Sequence, residues 1–471
     1  MTDTALSQAQ AKMRAAGVAD AAIEVFTHYV GRLRAGATGV IREDTIAPLL
    51  DPPHLSDVTV DRRTAQQALA RTAILKLNGG LGTSMGMDRA KSLLPVRDGR
   101  TFLDLIVAQV QHVRSSYDVR LPLTFMNSFR TDADTRAALA RHEGVEVDGV
   151  PLTFLQHQEP KLLTADLSPV SWPADPSLEW CPPGHGDLYT ALLTSGTLDR
   201  LLDAGYRYAN VSNSDNLGAA PSPTIAGWFA GSGAPYAAEL CRRTAADRKG
   251  GHLAIRTSDH RLILRDTAQT APEDMDFFTH EHRHPFFHTN NLWFDLEQLA
   301  AALAARGPVL GLPLIRNVKT VDPTDPSSPE VVQIETAMGA AIEVFDGATA
   351  IVVGRERFLP VKTTNDLLLV RSDAYRLGED ATLRPVVEPA PLVDLDREHY
   401  TTVARFDDRF PGGPPSLRDA TSLTVRGEWT FEGGVAVVGA ATLGPQGAPG
   451  TVPAGTTLGP AGPSAQEPSA P

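Results

Sequence analysis

The sequence predicts an α/β protein with a helical segment ahead of it and a β-helix behind it. Three observations carry this. Apolar residues spaced three and four apart mark an early amphipathic stretch. From about residue 70 to 385, short apolar runs alternate with helical stretches. After that, apolar residues recur every six positions with glycines between them.

In the first region, Ile23, Phe26, Val30 and Leu33 share one helical face. Residues 1 to about 60 are therefore expected to be helical, ending near Pro52-Pro53. In the second region, Thr72–Leu77 and Tyr208–Ser212 read as buried strands, and Phe102–Val113 and Leu188–Leu202 as helices. Strands alternating with helices imply a mostly parallel sheet, whose ligands bind at the carboxyl ends of strands. In the third region, one register is Leu417, Leu423, Trp429, Val435 and Ala441, and a second is Val425, Phe431, Val437 and Leu443. Two registers in phase favour a solenoid over a pair of hairpins. Beyond Leu443 the chain is rich in Gly, Pro and Ala and lacks aromatics, so a disordered tail is expected. The expected units are a helical segment (1–65), an α/β catalytic domain (66–385), a β-helix (386–445) and the tail (446–471).

Composition narrows the function classes. The chain has 471 residues, 56 acidic against 43 basic, and a net charge of -13. Broad nucleic-acid binding needs a basic face and is disfavoured. Cys181 and Cys241 form no CxxC pair, which suits a reducing cytoplasm. The start, MTDTALSQAQ, is polar and unlike a signal peptide. The most apolar stretch, Leu299 to Ile315, is interrupted by Arg306 and by Gly and Pro, so no membrane span is expected.

Four segments carry candidate chemistry. The first, Leu77-Asn-Gly-Gly-Leu-Gly-Thr-Ser-Met-Gly86, follows a strand, and its glycines let backbone N–H groups surround phosphate oxygens. Lys91 stands just beyond as a counter-charge. The loop fits neither the Walker pattern nor the dinucleotide fingerprint, because Met87 follows Gly86 and Met85 occupies the third glycine position. Alone, it is equally a ligand-free turn. The second, Pro182-Pro-Gly-His-Gly-Asp187, opens a helical stretch. His185 can donate to a phosphate there or be a satisfied structural histidine, and Asp187 reads as a helix N-cap. The third, Val211-Ser-Asn-Ser-Asp-Asn-Leu217, offers Asp215 as a Mg²⁺ ligand or as an Asx turn. The fourth, Arg357-Phe-Leu-Pro-Val-Lys362, offers Lys362 either to a phosphate or to solvent. His280, His282, His284 and His288 crowd one stretch, but no matching carboxylate or cysteine spacing accompanies them and Pro285 interrupts it. That stretch reads as a polar loop rather than a metal site.

Taken together and in order, these segments resemble the UTP–glucose-1-phosphate uridylyltransferase family, the UDP-glucose pyrophosphorylases of eukaryotic type. Met126-Asn-Ser-Phe129, Lys249-Gly-Gly251, Thr289-Asn-Asn-Leu-Trp293 and Glu335-Thr-Ala-Met-Gly-Ala-Ala-Ile342 extend the resemblance over about residues 70 to 372. It implies a GT-A-like, Rossmann-type nucleotidyltransferase domain with a C-terminal left-handed β-helix. It also implies that UTP and glucose 1-phosphate give UDP-glucose and pyrophosphate with Mg²⁺, by in-line attack on the α-phosphorus. Leu77, Asn78, Gly79 and Gly80 fall at the UTP site, with Gly79 and Gly80 also reaching the sugar phosphate. Lys91 falls at the phosphates, Gln156 at the uracil, Gly184 at UTP and His185 at the sugar phosphate. Asn213 matches a contact to nucleotide and sugar phosphate, Asp215 the metal ligand and Lys362 the catalytic lysine. Glu239 and Asn290 fall near the glucose. Assembly through the C-terminal region is a further implication.

This chain departs from the family at several points. Arg89-Ala90-Lys91-Ser92 stands where Gly-Pro-Lys-Ser is usual, and Leu155-Gln156-His157 where Asn-Gln-Ser is usual. Gln158 competes with Gln156 for the uracil, and His288 replaces a common asparagine. Two rival readings accompany the resemblance. One is the same reaction on N-acetylglucosamine or galactose 1-phosphate, whose enzymes more often carry Gly-Thr-Arg where Gly82-Thr-Ser84 stands here. The other is a non-catalytic nucleotide-sugar sensor, against which Lys91, Asp215 and Lys362 together argue.

Overall fold

Seven strands build the central sheet of the computed structural model, which describes residues 3–244, 247, 250–444, 449–460 and 462–465. In chain order they are β1 (Thr72–Asn78), β2 (Leu123–Asn127), β3 (Thr153–Leu155), β4 (Tyr208–Asn213), β5 (Tyr236–Arg242), β6 (Phe286–Asp295) and β7 (Thr349–Val353). Their spatial order is β7-β5-β6-β4-β1-β2-β3. The chain runs outward from β1 through β2 to β3, then returns to the other side of β1 as β4. The crevice between β1 and β4 is thus a topological switch point, where open α/β sheets bind ligands. The sheet is mixed rather than purely parallel, because β6 runs antiparallel to both β4 and β5.

Alternation along the strands creates two cores. On β1, Ala73, Leu75 and Leu77 face one apolar layer and Ile74 the other. Lys76 shares the face of Ile74 and is fully buried. The helix Phe102–Tyr117 covers that face, started by a reciprocal Thr101–Asp104 capping box. The expected helix over 188–202 is two helices, Leu188–Thr194 and Thr197–Asp203, because Gly196 adopts a left-handed φ of 68° between them.

The N-terminal expectation needs correction. Helices span Asp3–Ala15 and Asp20–Arg34, but residues 35–60 are mostly irregular, with short 3-10 turns at Glu43–Thr45 and Leu55–Asp57 and one short strand, Ile46–Pro48. Gly36 and Gly39 take positive φ, and Pro48, Pro52 and Pro53 prevent a helix from resuming. Ile23, Phe26 and Val30 pack on Leu162, Val332 and Ile334 of a small antiparallel sheet.

In the C-terminal region, both six-residue registers point inward, and all nine apolar residues in them are buried. Parallel pairing sets Leu423 opposite Ala441, 18 residues on, and Phe431 opposite Val452, 21 residues on. The expected tail starts too early. Gly450–Val452 and Thr456–Gly459 are strands that continue the parallel pairing, and Gly462–Ala465 folds back on the latter. Val452 and Leu458 supply the apolar anchors that composition alone obscured. Residues 445–448, 461 and 466–471 of that tail, and Lys249, lie outside the described residues. Among the described residues, no helix is long and apolar enough to cross a membrane.

Candidate active site

The register of β1 against β4 sets Leu77 directly opposite Asn213. The glycine loop and the Asp215 turn therefore leave the sheet side by side. Asn78 fastens the two. It accepts from Ser214 Oγ at 3.0 Å and donates to Asn127 Oδ1 and Thr135 Oγ1, both at 2.9 Å. Its side chain is a buried brace under the loop.

Past the glycines the chain turns at Thr83–Met85 and Gly86, then doubles back so that Ala90 bridges Leu81. Lys91 N–H reaches Gly80 O at 3.3 Å. Ala90 is completely buried while Arg89 stays exposed, so this unusual pair preserves the hairpin. The hairpin delivers Lys91 Nζ to Asp215 Oδ2 at 2.8 Å, with both side chains still partly exposed.

Gln156 lies across the loop. A Cβ added to Gly79 would fall 2.6 Å from its Nε2, so only glycine permits this contact. Among the described residues, neither the Gln156 nor the Gln158 side chain makes a hydrogen bond to the loop; Gln156 is the one that lies against Gly79. His157 anchors the segment through Asp187, which accepts from the His157 backbone N–H at 2.6 Å and pairs with its Nδ1 at 2.8 Å. Asp187 thus makes no side-chain cap for the helix it precedes, contrary to expectation, because His157 occupies both its oxygens.

Gly184 has a φ of 78°, and an added Cβ there would strike Thr336 O at 2.6 Å. This tight packing fixes His185. Its Nδ1 accepts from Met338 N–H at 2.9 Å, so the neutral ring carries its proton on Nε2. Burial pushes the His185 pKa down, which keeps the ring neutral and Nε2 a donor.

On the other wall, β6 is distorted. The pairing of β5 with β6 slips between Ala238 and Leu240, and Asn290 adopts a φ of 60°. Asparagine tolerates this left-handed conformation better than most residues, and such strain clusters at functional sites. His288 Nδ1 supports the bulge by accepting from Asn290 N–H at 3.0 Å. Burial drives the His288 pKa down to about 4. Its Nε2 is buried without a hydrogen-bond partner among the described residues.

Glu239 does not fit the glucose contact expected of it. It is fully buried, and its carboxylate receives Arg357 Nε at 2.9 Å, Arg357 Nη2 at 2.7 Å, Trp293 Nε1 at 2.9 Å and Asn291 Nδ2 at 3.2 Å. No oxygen is left for a sugar hydroxyl. Sequence reasoning missed this brace, although Arg357, Asn291 and Trp293 all lie inside the recognised segments.

Lys362 arrives beside Asp215 because Val361 N–H donates to Asp215 O at 3.2 Å. Its backbone N–H donates to Asp366 at 2.8 Å, opening the helix Thr364–Arg371. Its side chain is exposed and, among the described residues, has no ionic or hydrogen-bonding partner. The chemistry at Asp215 fits Mg²⁺, which needs only one or two protein carboxylates when phosphates and water complete its shell. Asp215 Oδ1 has no hydrogen-bond partner among the described residues. No three His, Cys, Asp or Glu side chains converge among those residues, so a bound ion would depend on substrate oxygens.

The histidine-rich stretch is only partly a polar loop. His284 is buried, stacked on His252 at 3.8 Å and bonded to Glu43 at 3.2 Å, while His288 lies on β6.

Residues 23–437 match the family model for UTP--glucose-1-phosphate uridylyltransferase. The UTP--glucose-1-phosphate uridylyltransferase of Saccharomyces cerevisiae is 41% identical over 362 residues, covering 76% of this chain and 71% of that protein. A crystal structure of a Leishmania major UDP-glucose pyrophosphorylase variant in complex with UDP-glucose superposes with a TM-score of 0.90 at 39% identity, covering 98% of this chain and 99% of that one. The Trypanosoma brucei UDP-glucose phosphorylase structure gives 0.89 at 42% identity, covering 97% and 98%.

Proposed function

The chain belongs to the UTP–glucose-1-phosphate uridylyltransferase family, and we propose that it joins UTP and glucose 1-phosphate into UDP-glucose and pyrophosphate at the β1/β4 crevice. The observation that carries this reading is the convergence of Gly79–Gly80, the Lys91–Asp215 pair and Lys362 on one switch point.

A phosphate oxygen of glucose 1-phosphate attacks the α-phosphorus of UTP in line. A new P–O bond forms, the bond from the α-phosphorus to the β-phosphate bridging oxygen breaks, and pyrophosphate leaves with those electrons. No covalent enzyme intermediate is needed, so catalysis rests on positioning and charge neutralisation. Leu77, Gly79 and Gly80 hold the nucleotide by backbone and shape, with Gln156 reading the uracil and Gly184 beneath it. Lys91 leaves Asp215 to meet the phosphates, and Lys362 offsets charge on the reacting groups. His185 donates from Nε2 to the sugar phosphate, while Asn213 and Asn290 orient the substrates. Asp215 would hold Mg²⁺, which would supply charge neutralisation at the phosphates.

The finer architecture belongs to the same reading. The β1/β4 switch point supports a GT-A-like domain, and the 18- to 21-residue parallel step supports a left-handed β-helix, a candidate surface for self-assembly. Two buried, unpaired cysteines support a cytoplasmic setting.

Pyrophosphate release across a panel of nucleotides and sugar 1-phosphates tests the reading. Release with UTP and glucose 1-phosphate is expected. Preference for another sugar phosphate would change the substrate, and no release with any would leave a nucleotide-sugar sensor.

A further inference from the structure

Beneath the crevice lies a set of buried side chains, three of which adjoin or share a segment with a proposed site residue. Asn216 follows Asp215, Asn291 follows Asn290, and Arg357 begins the segment that ends at Lys362. Glu239 and Trp293 complete the set, and all five are almost or fully inaccessible.

Their bonds form a closed circuit. Asn216 Nδ2 donates to Asn291 Oδ1 at 3.1 Å and to Arg357 O at 3.2 Å. Asn216 Oδ1 accepts from Gly218 N–H at 3.1 Å and from Leu359 N–H at 2.8 Å. Asn291 Nδ2 donates to both Arg357 O and Glu239 Oε2, each at 3.2 Å. The Arg357 guanidinium grips Glu239 with two N–H groups and donates its third arm to Ala220 O at 2.6 Å. Gly218 is required there, since an added Cβ would lie 2.5 Å from Glu356 O.

We propose that the buried Arg357–Glu239 pair is the positioning element of the reaction, fixing Lys362 relative to Asp215 and the Asn290 bulge. Three separate stretches of chain supply the proposed metal ligand, the proposed sugar contact and the exposed lysine. The pair and its two asparagines are what hold those stretches in register. A planar guanidinium suits this task because its fork meets a carboxylate in one geometry only. In-line transfer needs that accuracy, since small misplacements of reacting groups cost large factors in rate. The glycine loop and Gln156 hang from β1, β2 and the His157–Asp187 pair instead, outside this circuit.

The inference rests on the proposed reaction, and the wild-type full-length protein tests that reading first. Lack of turnover in the wild type would remove the reaction itself. Given turnover, three variants test the pair: Glu239→Gln, Arg357→Lys and the double replacement E239M/R357M, which leaves no lone buried charge. Each is assayed as kcat per UTP-binding site, counted by equilibrium titration, so that unfolded molecules do not enter the rate. We expect kcat per site to fall about thirtyfold in the double variant and about tenfold in Arg357→Lys, with the KM for UTP changed less than threefold. A purely structural pair would lower the number of sites without changing the rate at each. A kcat per site within threefold of wild type in all three variants would overturn the proposal.

Discussion

Two ion pairs, linked through Asn216 next to Asp215 and its bond to Arg357 O, are built in opposite ways. Lys91–Asp215 is half open, with one carboxylate oxygen unengaged and both side chains in reach of solvent. Arg357–Glu239 is closed, with every carboxylate lone-pair direction that matters already met by a protein donor. The open pair can exchange partners when phosphates arrive, because both side chains keep some contact with solvent and an ion pair that solvent can reach is worth on the order of 1 kcal/mol. The closed pair cannot, because parting it would strand a charge in the protein interior. The contrast teaches how a site stays adaptable at its surface while its frame stays fixed.

The contrast breaks first at the open pair. Asp215→Asn should cut kcat by about 10³-fold, roughly 4 kcal/mol of transition-state stabilisation, yet shift stability by less than about 1 kcal/mol. Steady-state kinetics beside urea unfolding would check both halves, and a large stability loss would mean the pair is structural. The closed pair should show the reverse order of damage. Glu239→Leu leaves Arg357 unpaired and should cost about 3 kcal/mol or more in urea unfolding. An unchanged unfolding midpoint would show that the pair bears no structural load.

A pH prediction sharpens the picture on the β6 wall. Burial holds the His288 pKa near 4, below the ordinary 6.5, so the folded state resists a proton that the unfolded state accepts. The stability this contributes is fully present above pH 6.5 and is lost as pH falls towards 4, amounting to at most about 3 kcal/mol. Unfolding of wild type and His288→Asn should therefore converge as pH is lowered through that window. Parallel pH profiles would contradict a buried neutral ring. The smallest effect belongs to the nucleotide side. His157→Ala loses the ring's contacts to Asp187 and Thr194 and should cost about 1–2 kcal/mol while raising the KM for UTP severalfold. An unchanged KM would separate Gln156 placement from this anchor.

The sequence carried some of this site and hid the rest for physical reasons. Local signals were legible: the glycine loop, Lys91, the Asp215 turn and Lys362 each lie within a few residues of a strand end. The inward six-residue registers were legible for the same reason, since a short period survives in one dimension. What stayed hidden depends on pairing across the sheet. Glu239 looked like a sugar contact because nothing local reveals that Arg357, more than a hundred residues later, meets it from β7's far end. The left-handed Asn290 arises from a register slip between β5 and β6, which no single strand records. Asp187 read as a cap because His157, thirty residues earlier, takes its oxygens instead. The order of residues 450–459 was missed because two apolar anchors, Val452 and Leu458, are diluted in a Gly- and Pro-rich stretch.

The central claim is that Lys362, held beside Asp215 without a side-chain partner among the described residues, neutralises charge during transfer. Single-turnover release of pyrophosphate from UTP and glucose 1-phosphate by Lys362→Ala tests it most directly. The rate should fall by at least about 10²-fold with the unfolding midpoint unchanged, as expected when one preorganised charge is removed from a transition state. Near-normal release by a folded Lys362→Ala protein would remove Lys362 from the chemistry and contradict the account.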